Sequence, residues 1–446
     1  AALWIGLGNA FIGSLLAWYV LGARTRAMSH HFNAQTMPEF FGSRFNSKAL
    51  RIAAAGIIFI FLIPYTASVY NGLSRLFDMA FSIPYEYAIV GMALLTCIYV
   101  VLGGYMATAV NDFVQGLIML GGIIAVIAVV LSGHGGFTAA LVELSQVPND
   151  TAVDTAAMSG AYTSIFGPDL INLIGVIILT SLGTCSLPQM VQKFYAIKNT
   201  SSIKRGAIIS TVFALIVAGG SYFLGGFGRL AGEGVPLTAA GTPVYDAVIP
   251  TLLSNMPDLL IGLTVVLVLS ASMSTLSSLV LASSSTLTLD FIKGNIVKRM
   301  SDRSQLFTMR VLIVVFVIIS AVIALVQYGS AVTFIAQLMS ISWGALAGAF
   351  LAPLLYGLYW KRTTTASVWV CFIFGVGLVS INMIWGFVFG AGFIASPINA
   401  GAIAMLAGLV LVPLVSLVTP KPDKAEVDKM FKDSYANLHE YPVDAD

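Results

Sequence analysis

Asp112 lies inside a long apolar run of this chain of 446 residues, where carboxylates are rare. A charge held at the centre of a bilayer costs about 2.5–3.5 kcal/mol on insertion scales, so such a residue faces a partner or an aqueous path. No Lys or Arg stands at the same depth to pair with it. Two readings of its chemistry follow: a protonated carboxyl hydrogen-bonded to a neighbouring helix, or a carboxylate whose counter-charge is a mobile cation. The run Ala271-Ser272-Met273-Ser274-Thr275-Leu276-Ser277-Ser278 supplies company for it. Helical spacing places Ala271, Ser274, Thr275 and Ser278 on one stripe, with Ser277 beside it. A stripe of hydroxyls without bases suits a hard monovalent cation. It equally suits close helix–helix contact, which small residues favour in membranes.

Three further apolar runs carry polar or helix-breaking residues near their middles. They are Pro64-Tyr65-Thr66-Ala67-Ser68, Ser181-Leu182-Gly183-Thr184-Cys185-Ser186-Leu187-Pro188, and Gln337 through Gly344. Broken spans with polar midpoints point to a transporter binding site, while a single one can be a kink satisfied by its neighbours. The three cysteines, Cys97, Cys185 and Cys371, have neither a disulfide framework nor metal-ligand spacing. His30-His31 lies in a basic loop and reads as solvated.

The elements that must position these residues follow from composition. The chain is 58% hydrophobic and 9% charged, against about 25% charged in a soluble domain. Such a surface is wetted by lipid. Runs of about 20 apolar residues give eleven expected spans. They cover 1–22, 50–76, 85–103, 105–132, 166–190, 205–228, 258–290, 306–327, 329–359, 366–389 and 398–418. Runs this long form helices, not barrel strands. With the connections alternating, all of the 22 Lys and Arg residues except Arg75 and Arg229 fall on one side. The positive-inside rule makes that side the cytoplasm, with the C-terminus on it. Residues 1–418 read as a membrane domain and 419–446 as a charged cytoplasmic tail. The net charge of +2 gives no argument for a nucleic-acid partner.

Several motifs resemble the sodium:solute symporters of the proline-permease, sodium–glucose and sialic-acid type, from about Trp18 to Thr364. They are Gly103-Gly104-Tyr105-Met106-Ala107 followed by Asp112 and Gln115, the run Ser272 to Ser277, and Gly357-Leu358-Tyr359-Trp360-Lys361-Arg362-Thr363-Thr364. Thr36-Met37-Pro38-Glu39-Phe40-Phe41 is similar to the family's T-L-P-x-F-F element. The resemblance implies an all-α integral membrane protein with a LeuT-like core of two inverted five-helix repeats and alternating access around a midplane site. It also implies thirteen spans, of which eleven are visible. The leading helix and the first, broken core helix are expected before Ala1, and the chain as given is expected not to transport alone.

By the same resemblance, Ala271 (carbonyl), Ser274 and Thr275 match the main sodium site. Asp112 with Ser274, Ser277 and Ser278 matches a second sodium site. Asn9, Tyr65, Thr66, Thr184, Ser186 and Gln337 match the solute region. Proline-type members carry aromatics near Thr184 that are lacking here. Gly183-Thr184 with Leu187-Pro188 is closer to acetate-type members, although Gln189 replaces their His. The expected function is sodium-driven symport of a small polar solute, with a lean towards a small carboxylate, in the plasma membrane. Sodium and the solute are the expected ligands, the bilayer the expected surroundings, and no cofactor is expected. Two alternatives are a proton-coupled symporter using Asp112 and a transporter-like sensor, against which the short tail argues. An intramembrane enzyme would need a nucleophile–base pair or metal cluster at depth, and neither is visible.

Overall fold

The computed structural model describes residues 1–147, 160–197, 201–236, 244–254, 257–293, 295–328, 335–390 and 392–436. Among them, eleven helices are long and apolar enough to cross a membrane. They are α1 (Leu3–Phe32), α2 (Lys48–Phe81), α3 (Tyr85–Gly104), α4 (Met106–Gly133), α5 (Leu170–Tyr195) and α6 (Ser202–Gly226). The rest are α7 (Asp258–Ile292), α8 (Asp302–Gln327), α9 (Ile335–Tyr359), α10 (Thr365–Phe389) and α11 (Pro397–Val418). The described residues contain no strand, only an isolated bridge between Lys293 and Val297.

Where the apolar runs end, the helices do not always end with them. α1 passes the expected stop near residue 22 and continues to Phe32, so His30 and His31 sit on its last turn, exposed as expected. Two stretches of α1, Asn9–Leu16 and Trp18–Gly22, are π-helical, a widened winding often found at functional sites. α3 and α4 are joined through Gly104, whose φ of 63° and ψ of −171° turn the chain without a loop. A residue with a Cβ would be strained there.

Of the three runs with polar midpoints, only the one in α5 breaks. Leu187 is extended (φ −64°, ψ 133°), and a new helix, Pro188–Tyr195, begins at the proline. The residue before a proline is pushed out of the helical region, which sets this break. α2 runs unbroken through Pro64. The Thr66 and Ser68 hydroxyls bond back to the carbonyls of Leu62 (2.9 Å) and Tyr65 (2.7 Å) within the same helix. α9 is likewise continuous through Pro353.

α9 is the most deeply buried span, packed on α2, α5, α10 and α11. Its run Gly344-Ala345-Leu346-Ala347-Gly348-Ala349 permits that approach. A Cβ built on Gly375 of α10 would fall 2.4 Å from the Gly348 carbonyl carbon, so these two backbones are in direct contact.

The basic end of the bundle is tied by polar and aromatic contacts. Thr36 caps the helix Met37–Arg44 by accepting from the Glu39 amide at 3.2 Å, and Glu39 accepts from the Gln35 amide at 3.0 Å. This approximates a capping box. Phe40 and Phe41 then enter the core, where Phe41 packs on Phe350 and Phe372. The fully buried Asp290 side chain accepts from Thr36 (2.6 Å) and Arg51 (2.7 Å), and Arg51 also pairs with Glu39 (3.2 Å). A last helix, Lys424–Tyr435, folds back onto this end. Lys361 donates to Asp428 at 2.7 Å, which holds the Asp428 carboxyl below its ordinary range, and the Tyr435 hydroxyl donates to Leu358 at 2.7 Å. Arg24 of α1 lies over the rings of both Tyr359 and Tyr435.

Candidate ion and solute site

On α7, three of the expected ion-binding groups meet. The Ala271 carbonyl accepts from the hydroxyls of Thr275 (2.9 Å) and Ser274 (3.4 Å). One turn on, the Ser274 carbonyl accepts from Ser277 and Ser278, both at 3.0 Å. This clustering follows from sequence, because hydroxyls at i+3 and i+4 reach the same carbonyl on a helix. The result is a ladder of oxygens along one face.

Only the fold brings Asp112 to that ladder. The bend at Gly104 sends α4 along α7, and the Ser277 hydroxyl reaches Asp112 Oδ1 at 3.5 Å. α3 is fastened to the same stretch by the Tyr99 hydroxyl, which donates to the Met273 carbonyl at 2.7 Å. Asp112, Ser277 and Ser278 all line a cavity of about 1070 Å3 between α1, α4, α5, α7 and α8. The remaining walls include Gln189, Gln192, Lys193 and Tyr195 of α5 and His30 of α1.

That lining changes one expectation. α5 extends to Tyr195 instead of stopping at residue 190, and so carries the cation of Lys193 into the cavity that Asp112 faces. In the sequence Lys193 looks like one of several loop lysines, because the Pro188 break hides the continuation of the span. Gln189 is also drawn in: it is 6% exposed, and its side-chain oxygen makes no hydrogen bond.

The expected solute residues form a separate group, and none of them lines the cavity. Asn9 Nδ2 donates to Thr180 Oγ1 at 3.1 Å, joining α1 to α5. The Thr184 hydroxyl donates to the Ser181 carbonyl at 2.8 Å and lies 3.4 Å from the Gly13 carbonyl, while Ser186 turns back to Gly183 at 3.4 Å. From the other side, the Tyr65 ring meets Trp343 edge-on, with centroids 5.6 Å apart. Trp343 in turn lies against Gly183, so the two sides meet at that glycine.

Two of the expected members stand apart. The Thr66 hydroxyl is fully buried and committed to its own helix. Gln337 is in the first turn of α9 and makes no side-chain hydrogen bond to the other described members. Conversely, the Trp343 indole N–H and the Ser181 and Ser342 hydroxyls are buried without partners beside or near this group. The polar-midpoint runs of α5 and α9 contain them, but the family resemblance did not place them among the solute residues. An unpaired buried polar group is costly, so three of them in one core region mark a place where a ligand can bind.

A profile of the sodium:solute symporter family matches residues 1–375. The osmoregulated proline transporter of Bacillus subtilis (strain 168) is 28% identical over 429 residues, covering 95% of this chain and 82% of the relative. The sodium/proline symporter of Staphylococcus aureus is 28% identical over 402 residues, covering 86% and 73% respectively. Among solved structures, the substrate-bound, outward-open state of a sodium-coupled sialic acid symporter superimposes with a TM-score of 0.60. The alignment has 16% identity and covers 95% of this chain and 90% of that one, which establishes a common fold. With its motifs, spans and profile in agreement, the chain belongs to the sodium:solute symporter family.

Proposed function

We propose that Ala271, Ser274 and Thr275 hold the driving sodium ion, and that Asp112, Ser274, Ser277 and Ser278 hold a second one. The chain itself is a secondary active transporter of its family, not an enzyme: sodium drives symport of a small polar solute. The observation that carries the ion assignment is the approach of Asp112 to Ser277, which shares the Ser274 carbonyl with Ser278 one turn along from the Ala271 carbonyl. An anionic oxygen plus a row of neutral ones suits a desolvated monovalent cation. The superimposed sialic acid symporter is itself described as revealing a novel sodium site.

The solute is read as a small molecule bearing a carboxylate. The unpartnered indole N–H of Trp343 and hydroxyls of Ser181 and Ser342 offer donors, and the Tyr65–Trp343 pair offers an apolar wall. That wall supplies from α2 and α9 the aromatic surface that residues near Thr184 lack. The proline carriers among the relatives move a solute of this class. The basic end, with the tail helix, is read as cytoplasmic.

Reconstituted vesicles test the coupling. Uptake of L-proline or acetate by the full-length protein should follow an imposed sodium gradient at fixed pH. Uptake that ignores sodium and follows a pH gradient would replace this reading with proton coupling through Asp112.

A further inference from the structure

The break in α5 separates a solute-bearing half, with Thr184 and Ser186, from an inner half, Pro188–Tyr195, that rests against α7. Among the described residues no hydrogen bond joins a side chain of this inner half to α4 or α7. Yet it carries two buried oxygens with no hydrogen-bond partner, Gln189 Oε1 and Tyr195 Oη, and both residues line the cavity of Asp112, Ser277 and Ser278. Burying an amide oxygen without a partner is unfavourable, so Gln189, 6% exposed and lining the same cavity as a carboxylate and two hydroxyls, needs a donor or a cation there. A neutral amide oxygen is a good ligand for a hard monovalent cation, and adding it raises the count of oxygens without adding charge.

We infer that the side-chain oxygen of Gln189 is a further ligand of the cation held at Asp112, and that the ion thereby ties the inner half of α5 to α4 and α7. This rests on the sodium reading above and extends it to coupling. Ser186 and Gln189 are three positions apart, across the extended Leu187. An ion that fixes the inner half therefore also sets the position from which the outer half meets the solute. By linkage, solute binding must tighten sodium by the same factor that sodium tightens solute. Lys193 lies one turn beyond Gln189 in the same cavity. Its cation opposes the ion electrostatically, so the amide ligand supplies the attraction that keeps this half-helix in contact when sodium is bound.

Sodium alone is the probe. In a chain with Cys97, Cys185 and Cys371 replaced by serine, Gln192→Cys places a thiol on the inner half, in the cavity wall. Its rate of modification by a maleimide should fall with sodium by on the order of tenfold, within the usual span of coupling. Gln189→Leu should abolish that protection, while sodium still raises the thermal midpoint through the Ser274 and Thr275 site. Gln189→Glu should keep the protection and shift it to lower sodium. Gln189→Asn, which withdraws the oxygen by one methylene while preserving polarity, should behave like Gln189→Leu and covers the case in which the leucine variant misfolds. Protection that survives in both Gln189→Leu and Gln189→Asn, or that is absent from the parent despite a sodium-raised midpoint, overturns the inference. A parent chain in which sodium changes neither the midpoint nor the labelling overturns the sodium reading itself.

Discussion

A single carboxylate and two hydroxyls carry most of the proposed chemistry, and each makes a separable contribution. Among the described residues, Asp112 is hydrogen-bonded to the ladder on α7 through Ser277 at 3.5 Å. Asp112→Ala should therefore remove the second ion and leave the first. The Hill coefficient for sodium-activated uptake should drop towards one, with transport at saturating sodium retained. A parent that is already hyperbolic, and a variant that matches it, would refute the second site. Thr275 holds the shorter of the two contacts to the Ala271 carbonyl, 2.9 Å. Losing one neutral ligand oxygen is worth about 1–2 kcal/mol, or roughly tenfold in affinity. Thr275→Ala should raise half-saturating sodium by that order and Thr275→Ser should restore it. Equal effects from both substitutions would mean that the methyl group, not the hydroxyl, matters.

At the scale of elements, α9 is tied at Ile335 to a carboxylate from another segment. Both carboxylate oxygens of Asp246, in the short helical turn Tyr245–Ala247, accept from the Ile335 amide at 3.3 Å, at the first described residue of α9. Burial pushes the Asp246 carboxyl above its ordinary value of 3.8, outweighing that hydrogen bond and the charge of Arg75. The sign follows from linkage. A raised folded-state value means that folding favours the protonated form, so this group's contribution is greatest below its unfolded value and is lost as pH rises through the folded one. Asp246→Asn keeps an acceptor for Ile335 and removes the titration. Its thermal midpoint should therefore vary less with pH than that of the parent, from just above 3.8 upward. Parallel profiles would show that the carboxyl is not the source of the dependence.

For the molecule as a whole, the distribution of basic residues sets an expected orientation that a measurement can test. The basic residues gather at one end, where Arg24, Arg44, Lys361 and the tail helix Lys424–Tyr435 pack together. Arg44 is buried, donates to the Gly357 carbonyl at 2.8 Å, and has its basicity lowered to about 10 by that burial. If this end is cytoplasmic, an epitope tag after residue 446 should be reached in whole cells only after permeabilisation. A tag reached in intact cells would invert the topology and with it the direction of the cavity.

Much of this was legible in the residues. Eleven spans follow from apolar run length because lipid admits only helices with satisfied backbones, and the described residues contain eleven. The Ala271–Ser278 ladder follows from helical periodicity, a local property that survives any packing. The break at Leu187-Pro188 is local too, since proline restricts the residue before it. What sequence spacing left undetermined was everything that depends on which helix faces which. Pro64 resembles Pro188 on paper, yet α2 stays whole, its neighbouring hydroxyls bonded back within the helix. Asp112 and Ser277 are 165 positions apart and meet only because Gly104 turns α4 along α7. Lys193 reads as a loop residue until the tertiary structure carries α5 past its break into the cavity. Trp343 finds Tyr65 and Gly183 by the close packing of a glycine- and alanine-rich helix, a long-range event that no local period encodes. Local rules fix helices and their faces; the choice of neighbours, and hence the assembled site, is decided only by the packing of the whole bundle.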